Sequence, residues 1–163
     1  MRSVIFICTA NRCRSPMAVG LFARQVAHLN DGREWQISSA GTWAIDDQPA
    51  TALARMVMGQ QGIDLDQHRS RPLNGAMLRA ADVILVMTRH HLEAIQAEFP
   101  EVANRTFLLS QLIGQTFEID DPFEGTEEDY RRCANGIERI LKEGYARLVE
   151  LAERSSISCE DTR

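Results

Sequence analysis

The residues best suited to chemistry stand near the N-terminus, in the run Cys8-Thr9-Ala10-Asn11-Arg12-Cys13-Arg14-Ser15-Pro16. A cysteine, five residues and an arginine lie between an apolar run, Ser3 to Ile7, and a helix-start pattern at Ser15-Pro16. A helix N-terminus and the successive backbone N–H groups of such a loop form a concave anion site. The same field favours a thiolate, the nucleophilic form of cysteine. Arg14 carries a planar fork that can hold two phosphate oxygens and follow them into a transition state, which lysine does not match. Ser15 can hydrogen-bond the Cys8 sulfur and help it leave. These residue types suit transfer of a phosphoryl group to Cys8 and its hydrolysis from there. Spacing alone carries little, because a cysteine and an arginine with five residues between them recur by chance; the strand before and the helix after give it weight.

Those residues need a scaffold, and the chain supplies alternating β and α patterns. Ser3 to Ile7 is a strand apolar on both faces, the pattern of a central parallel strand. Ser15 can cap the next helix and Pro16 suits its first position, with Met17, Leu21, Phe22 and Val26 at helical spacing. Trp35 to Ser39 is a second strand, left through Ala40-Gly41-Thr42. Ala50 to Gln61 is a helix closed by Gly62, and 62–73 has no strand pattern. Leu73 to Ala80 is a short helix, Asp82 to Met87 a third strand, Arg89 to Glu98 a helix and Arg105 to Leu109 a fourth strand. Thr126 opens one long helix through Glu153, with Glu128 and Asp129 in its first turn. This order predicts a parallel sheet with helices on both faces. Ligands of such sheets bind beyond the carboxyl ends of the strands, where the Cys8 loop lies.

The 163 residues fit one domain, 1–154, followed by a polar tail, 155–163, expected to be disordered. A net charge of −5 argues against a large nucleic-acid footprint. No apolar stretch approaches the roughly 20 residues of a membrane helix. The first apolar run ends at Cys8 rather than at a small-residue cleavage site, so it is a strand and not a signal peptide, and the cytoplasm is the expected location. There Cys8, Cys13, Cys133 and Cys159 should be mainly reduced, with Cys133 explained by packing. The adjacent His90 and His91 do not share a helix face, and no metal or cofactor is assigned.

The chain resembles the low-molecular-weight protein-tyrosine phosphatases. The resemblance rests on C-x5-R-S directly after the first strand, on Ser39-Ala40-Gly41-Thr42, on His68-Arg69-Ser70-Arg71, on Val86-Met87 followed by His91, and on Asp121-Pro122-Phe123. It implies a three-layer α/β sandwich around a four-stranded parallel sheet of order 2-1-3-4. It also implies metal-independent hydrolysis of phosphotyrosine on proteins through a cysteinyl-phosphate. Asp121 is then the general acid that protonates the leaving group and afterwards the base toward water, two tasks one carboxylate can do in turn. Pro122 holds the residue before it extended; Asp120 is the competing candidate. Asn11 matches a family asparagine in the left-handed conformation, His68 a histidine that supports the loop, and Cys13 a second thiol that can pair reversibly with the nucleophile.

Arg12 departs from the family. Members acting on phosphotyrosine carry an aliphatic residue there, and relatives acting on phosphoarginine carry threonine. Its guanidinium can stack on a ring or turn to solvent and attract acidic peptide segments. Phe123 and Trp43 are expected walls of the pocket, with Glu124 where many animal members have a tyrosine. A deep thiolate reaches a phosphate on a long side chain, which favours phosphotyrosine, with phosphoarginine as the alternative. Arsenate reduction needs further cysteines after the third strand, where Met87-Thr88-Arg89-His90-His91-Leu92 has none. A non-catalytic phosphate-binding module needs neither thiolate nor acid.

Overall fold

The computed structural model describes residues 1–160, with side chains described as far as Ser155. Strand β1 (Arg2–Cys8) sits in the middle of the sheet with both faces buried. Its side chains alternate. Val4, Phe6 and Cys8 point into a core shared with α1 (Arg14–Leu29), α2 (Ala52–Gln60), α5 (Glu127–Glu143) and α6 (Tyr145–Glu160). Ile5 and Ile7 point the other way, toward α3 (Gly75–Ala80) and α4 (Arg89–Glu98). Period-two burial on both faces explains why this strand reads as an uninterrupted apolar run.

The sheet is four-stranded, all parallel, in the order β2 (Trp35–Gly41), β1, β3 (Val83–Val86), β4 (Thr106–Leu108). This is the expected three-layer α/β sandwich. Register places Cys8 beside Gly41 and Ile7 beside Val86. Cys8 is therefore the last residue of its strand, held by the ladder on which the loop begins. Two short 3-10 segments, Pro100–Arg105 and Leu109–Ile113, flank β4.

Three expectations from the sequence are corrected. Helix α1 begins at Arg14 with Cys13 at the capping position, and no side chain caps it. Ser15 lies inside the helix with its hydroxyl on the Cys8 sulfur, and Pro16 takes the third helical position. A side-chain cap would consume N–H groups that an anion can use, so an uncapped start suits an anion site. The expected single final helix is two helices parted at Gly144. The break turns the chain so that Tyr145 joins the rings of Phe22 and Trp35, with centroids 6.2 and 6.4 Å away. Thr126 does open α5, through a capping box with Asp129. Finally, α6 continues to Glu160, through the first part of the segment expected to be a disordered tail. The Ser155 hydroxyl donates to Asp82 O at 2.8 Å. The side chains of 156–160, including that of Cys159, and residues 161–163 lie outside the described part.

A Cβ at Gly144 would stand 2.5 Å from Leu112 Cβ. Gly144→Ala should therefore lower stability by about 1–3 kcal/mol, the usual cost of overpacking. Urea unfolding checks this, and phosphate binding should stay unchanged because the substitution lies far from the Cys8 loop.

Candidate active site

The loop from Cys8 to Cys13 is defined by where its backbone groups go. All but one of its carbonyls are taken by groups around the loop. Cys8 O accepts from Thr42 N–H at 2.9 Å, Thr9 O from Trp43 N–H at 3.0 Å, and Arg12 O from Thr51 N–H at 3.0 Å. Cys13 O accepts from Met17 N–H at 3.1 Å. Asn11 O accepts from His68 Nε2–H at 2.6 Å. Among the described residues, the N–H groups from Thr9 to Ser15 have no protein acceptor. A loop with its carbonyls satisfied from outside and its N–H groups unpaired is an anion cradle.

Asn11 is the keystone of that loop. It is fully buried and left-handed, with φ 57°. Its Nδ2 donates to Ser15 Oγ at 2.8 Å and to Ser39 Oγ at 2.9 Å, and its Oδ1 accepts Arg71 N–H at 3.0 Å. Arg71 Nε donates to Ser39 O at 2.9 Å. Gly41 lets β2 pass close by: a Cβ there would be 2.3 Å from Thr9 O and 3.0 Å from Asn11 N. The segments Ser39 to Thr42 and His68 to Arg71 thus form one strap beneath the loop.

Cys8 Sγ lies 3.0 Å from Ser15 Oγ. Because Ser15 Oγ accepts from Asn11, its own proton is free to point at the sulfur. Arg14 is 4% exposed; its Nη1 donates to Ile119 O at 3.0 Å and its Nη2 faces Asp121 Oδ2 at 3.2 Å. Arg14 Nε is buried without a protein partner. Ile119 is fixed in turn by its N–H on Met87 O at 2.9 Å. Asp121 Oδ1 accepts Phe123 N–H at 3.1 Å, and its side chain is 46% exposed. Asp120 lines a neighbouring cavity of about 280 Å³, with Cys133 and Asp121, and does not line the cavity that holds Cys8 and Arg14. The fold therefore separates two adjacent aspartates that the sequence left in competition: only Asp121 faces Cys8 and Arg14.

Cys8, Thr9, Ala10, Arg12, Cys13, Arg14, Trp43, Asp121 and Phe123 line one cavity of about 260 Å³. Of the loop residues expected at the substrate, Asn11 and Ser15 are the two whose side chains lie beneath this cavity rather than in its wall. Trp43 is 86% exposed and Phe123 55%, so both stand at the mouth. Arg12 is drawn aside, with its Nε on Pro49 O at 2.8 Å. Cys13 Sγ lies 3.3 Å from Tyr130 OH and 3.5 Å from Thr51 Oγ1, and burial pushes its thiol up. Burial likewise pushes Tyr130 up to about 12. Cys8, Cys13 and Cys133 are free thiols. Thr51 and Tyr130 carried no sequence signal; Tyr130 is brought to Cys13 from 117 residues away. His91 stood in a quoted motif without a role, and the structure sets its Nε2 2.8 Å from Thr9 Oγ1.

A buried cysteine sulfur under an anion cradle, with an arginine and a carboxylate closing over it on a parallel sheet, defines a cysteine-dependent phosphatase. The chain belongs to the low molecular weight phosphotyrosine protein phosphatase family, whose model matches residues 3–154. That family includes enzymes named for phosphotyrosine and for phosphoarginine. The protein-arginine-phosphatase of Geobacillus stearothermophilus is 35% identical over 140 residues, 85% of this chain and 90% of that protein. The low molecular weight protein-tyrosine-phosphatase Etp of Escherichia coli is 32% identical over 146 residues, 90% of this chain and 94% of that one. Among solved structures, the YwlE arginine phosphatase from G. stearothermophilus superposes with a TM-score of 0.81 at 32% identity, covering 100% of this chain and 98% of its own. The tyrosine phosphatase from T. tengcongensis gives 0.84 at 32% identity, covering 92% and 99%. The chain is thus an enzyme, a hydrolase of this family. Among the described residues no helix is long and apolar enough to cross a membrane.

Burial, followed by the neighbouring Arg14 guanidinium, pushes His91 down to about 4, and burial lowers His68 as well. Both rings are held neutral by the fold, so the unfolded chain binds more protons below pH 6.5. Their contribution is complete above about pH 6.5 and declines as the pH falls toward 4. Melting temperature measured between pH 7 and 4 should fall along that window, and His91→Gln should flatten the decline.

Proposed function

We propose that this protein is a protein phosphatase working through a cysteinyl-phosphate, with Cys8 as nucleophile, Arg14 as phosphate clamp and Asp121 as general acid and base. The observation that carries it is Asp121 held 3.2 Å from Arg14 over a cavity lined by Cys8. The loop N–H groups and the unpaired Arg14 Nε take the equatorial phosphoryl oxygens, where charge develops. Cys8 sulfur attacks phosphorus in line with the leaving group, which leaves with the Asp121 proton. Asp121 then takes a proton from water as that water attacks phosphorus. Ser15 donates toward the departing sulfur. Asn11 and His68 hold the loop open, while Thr9, Ala10, Arg12, Cys13, Trp43 and Phe123 border the substrate.

For the substrate, phosphoarginine on proteins now has the better support. The tyrosine preference expected from the sequence rested on pocket depth, and depth admits either long side chain. Two arginine phosphatases, from G. stearothermophilus and Bacillus subtilis, are 35% and 33% identical to this chain over 85% and 86% of it. A guanidine leaves only when protonated, and Asp121 is half-exposed at the site where that proton is needed. Phosphotyrosine is the second reading, favoured by the exposed rings of Trp43 and Phe123. Arg14 supplies the cation for the phosphate in this reading, and none of its steps calls for a metal. A cytoplasmic setting suits three free thiols.

Cys8→Ser should lower turnover of p-nitrophenyl phosphate by at least about 10³-fold while still binding phosphate; survival of activity would end the mechanism. Asp121→Asn should lose about 10²–10⁴-fold on phosphopeptides, and less on p-nitrophenyl phosphate, whose leaving group needs little help. EDTA should leave wild-type turnover unchanged. Turnover of one peptide sequence carrying phosphoarginine or phosphotyrosine decides the substrate, and a clear preference for phosphotyrosine returns the assignment to the second reading.

A further inference from the structure

Thr9 and His91 meet although 82 positions separate them. The direction of each hydrogen bond between them is fixed by the groups around the ring. Thr88 backbone N–H points at His91 Nδ1 at 3.2 Å. A backbone N–H only donates, so Nδ1 accepts, and the proton of the neutral ring sits on Nε2. Nε2–H therefore donates to Thr9 Oγ1 across 2.8 Å. This uses one lone pair of the Thr9 oxygen. The second lone pair and the hydroxyl proton have no protein partner among the described residues, and Thr9 lines the Cys8 cavity.

The choice of histidine here has a physical reason. His91 is the third residue of α4, where it completes a capping box with Thr88. Glutamate or glutamine usually fills that position. Glutamate accepts the Thr88 N–H but offers no donor to Thr9. Histidine does both. It is 2% exposed, and burial lowers its pKa to about 4, which keeps the ring neutral, with this proton arrangement, near neutral pH.

We propose that His91 is a positioning residue that holds Thr9 as a hydrogen-bonding wall for the guanidine N–H groups of a phosphoarginine side chain, which makes Thr9 a specificity-determining residue. This rests on the phosphoarginine assignment above. A phosphotyrosine ring has no N–H to offer the Thr9 oxygen, and it leaves that oxygen with an unused lone pair in a partly buried wall. Arg12 lines the same cavity and has its Nε engaged on Pro49 O.

The test measures kcat/KM on one peptide sequence carrying either phosphoarginine or phosphotyrosine. Thr9→Val, which keeps shape and removes the hydroxyl, should lower the arginine-to-tyrosine ratio about tenfold, the worth of one hydrogen bond. His91→Leu should lower the ratio in the same direction. His91→Gln keeps an acceptor for Thr88 and a donor for Thr9, and it should restore the ratio to within about threefold of wild type. Inhibition by inorganic phosphate and the melting temperature report whether each variant is folded; if His91→Leu does not fold, Thr9→Val and His91→Gln carry the test. An unchanged ratio in Thr9→Val, or His91→Gln matching His91→Leu, overturns the proposal while leaving the substrate assignment intact. Wild type that fails to turn over the phosphoarginine peptide overturns the assignment and the proposal together.

Discussion

Turning a run of backbone N–H groups toward one point forces the matching carbonyls to face the other way, into the protein, where each needs a donor. Most of the tertiary arrangement around Cys8 follows from that requirement. Donors arrive from the exit of β2 at Thr42 and Trp43, from the start of α2 at Thr51, and from the middle of the chain at His68. Asn11 supplies the left-handed turn and braces the loop against Ser39 and Arg71. Gly41 is glycine because the β2 exit must pass within contact distance of the loop backbone. Each orphaned carbonyl would cost free energy in a buried site, so the loop holds its shape before any anion enters. Preorganisation of this kind is what electrostatic catalysis requires.

Arg14 ties the second half of the site to the first. It is almost fully buried, yet one nitrogen holds the Ile119 carbonyl and another faces Asp121. The segment carrying Asp121 is therefore indexed to Arg14, the residue proposed as the phosphate clamp. A buried guanidinium with a nitrogen left unpaired is costly, and under the proposed mechanism an arriving phosphoryl group relieves that cost. The floor of the pocket, at Cys8 and Arg14, is thus buried and charged, whereas Trp43 and Phe123 at the mouth are exposed. Fixed chemistry at the floor and open geometry at the rim agree with a family whose members carry names for two different phosphorylated side chains.

The apolar and polar pattern along the chain determined the order and type of the main elements and the parallel sheet, and the C-x5-R spacing marked the loop from Cys8 to Arg14 as the candidate site. These are legible because period-two burial, glycine and proline positions and the C-x5-R spacing are local properties of the chain. Element ends were less legible. Ser15 has the residue type of a cap, but its hydroxyl is bound to Cys8 and Asn11, and nothing local records that. Gly144 in a long amphipathic pattern reads as a tolerated helical glycine; only the approach of Leu112 and the ring of Tyr145 make it a break.

Tertiary structure alone decided the contacts that span the chain. Which of Asp120 and Asp121 faces Cys8 depends on where Met87 and Arg14 anchor Ile119, residues far off in sequence. The pairing of Thr9 with His91 depends on the Cys8 loop meeting the first turn of α4, at the carboxyl ends of β1 and β3. The placement of Tyr130 on Cys13 depends on α5 packing against α1. Spacing along a chain encodes what one turn or one strand can reach. Through-space hydrogen bonds between distant elements are set by packing, and packing is what the sequence expresses only once it has folded.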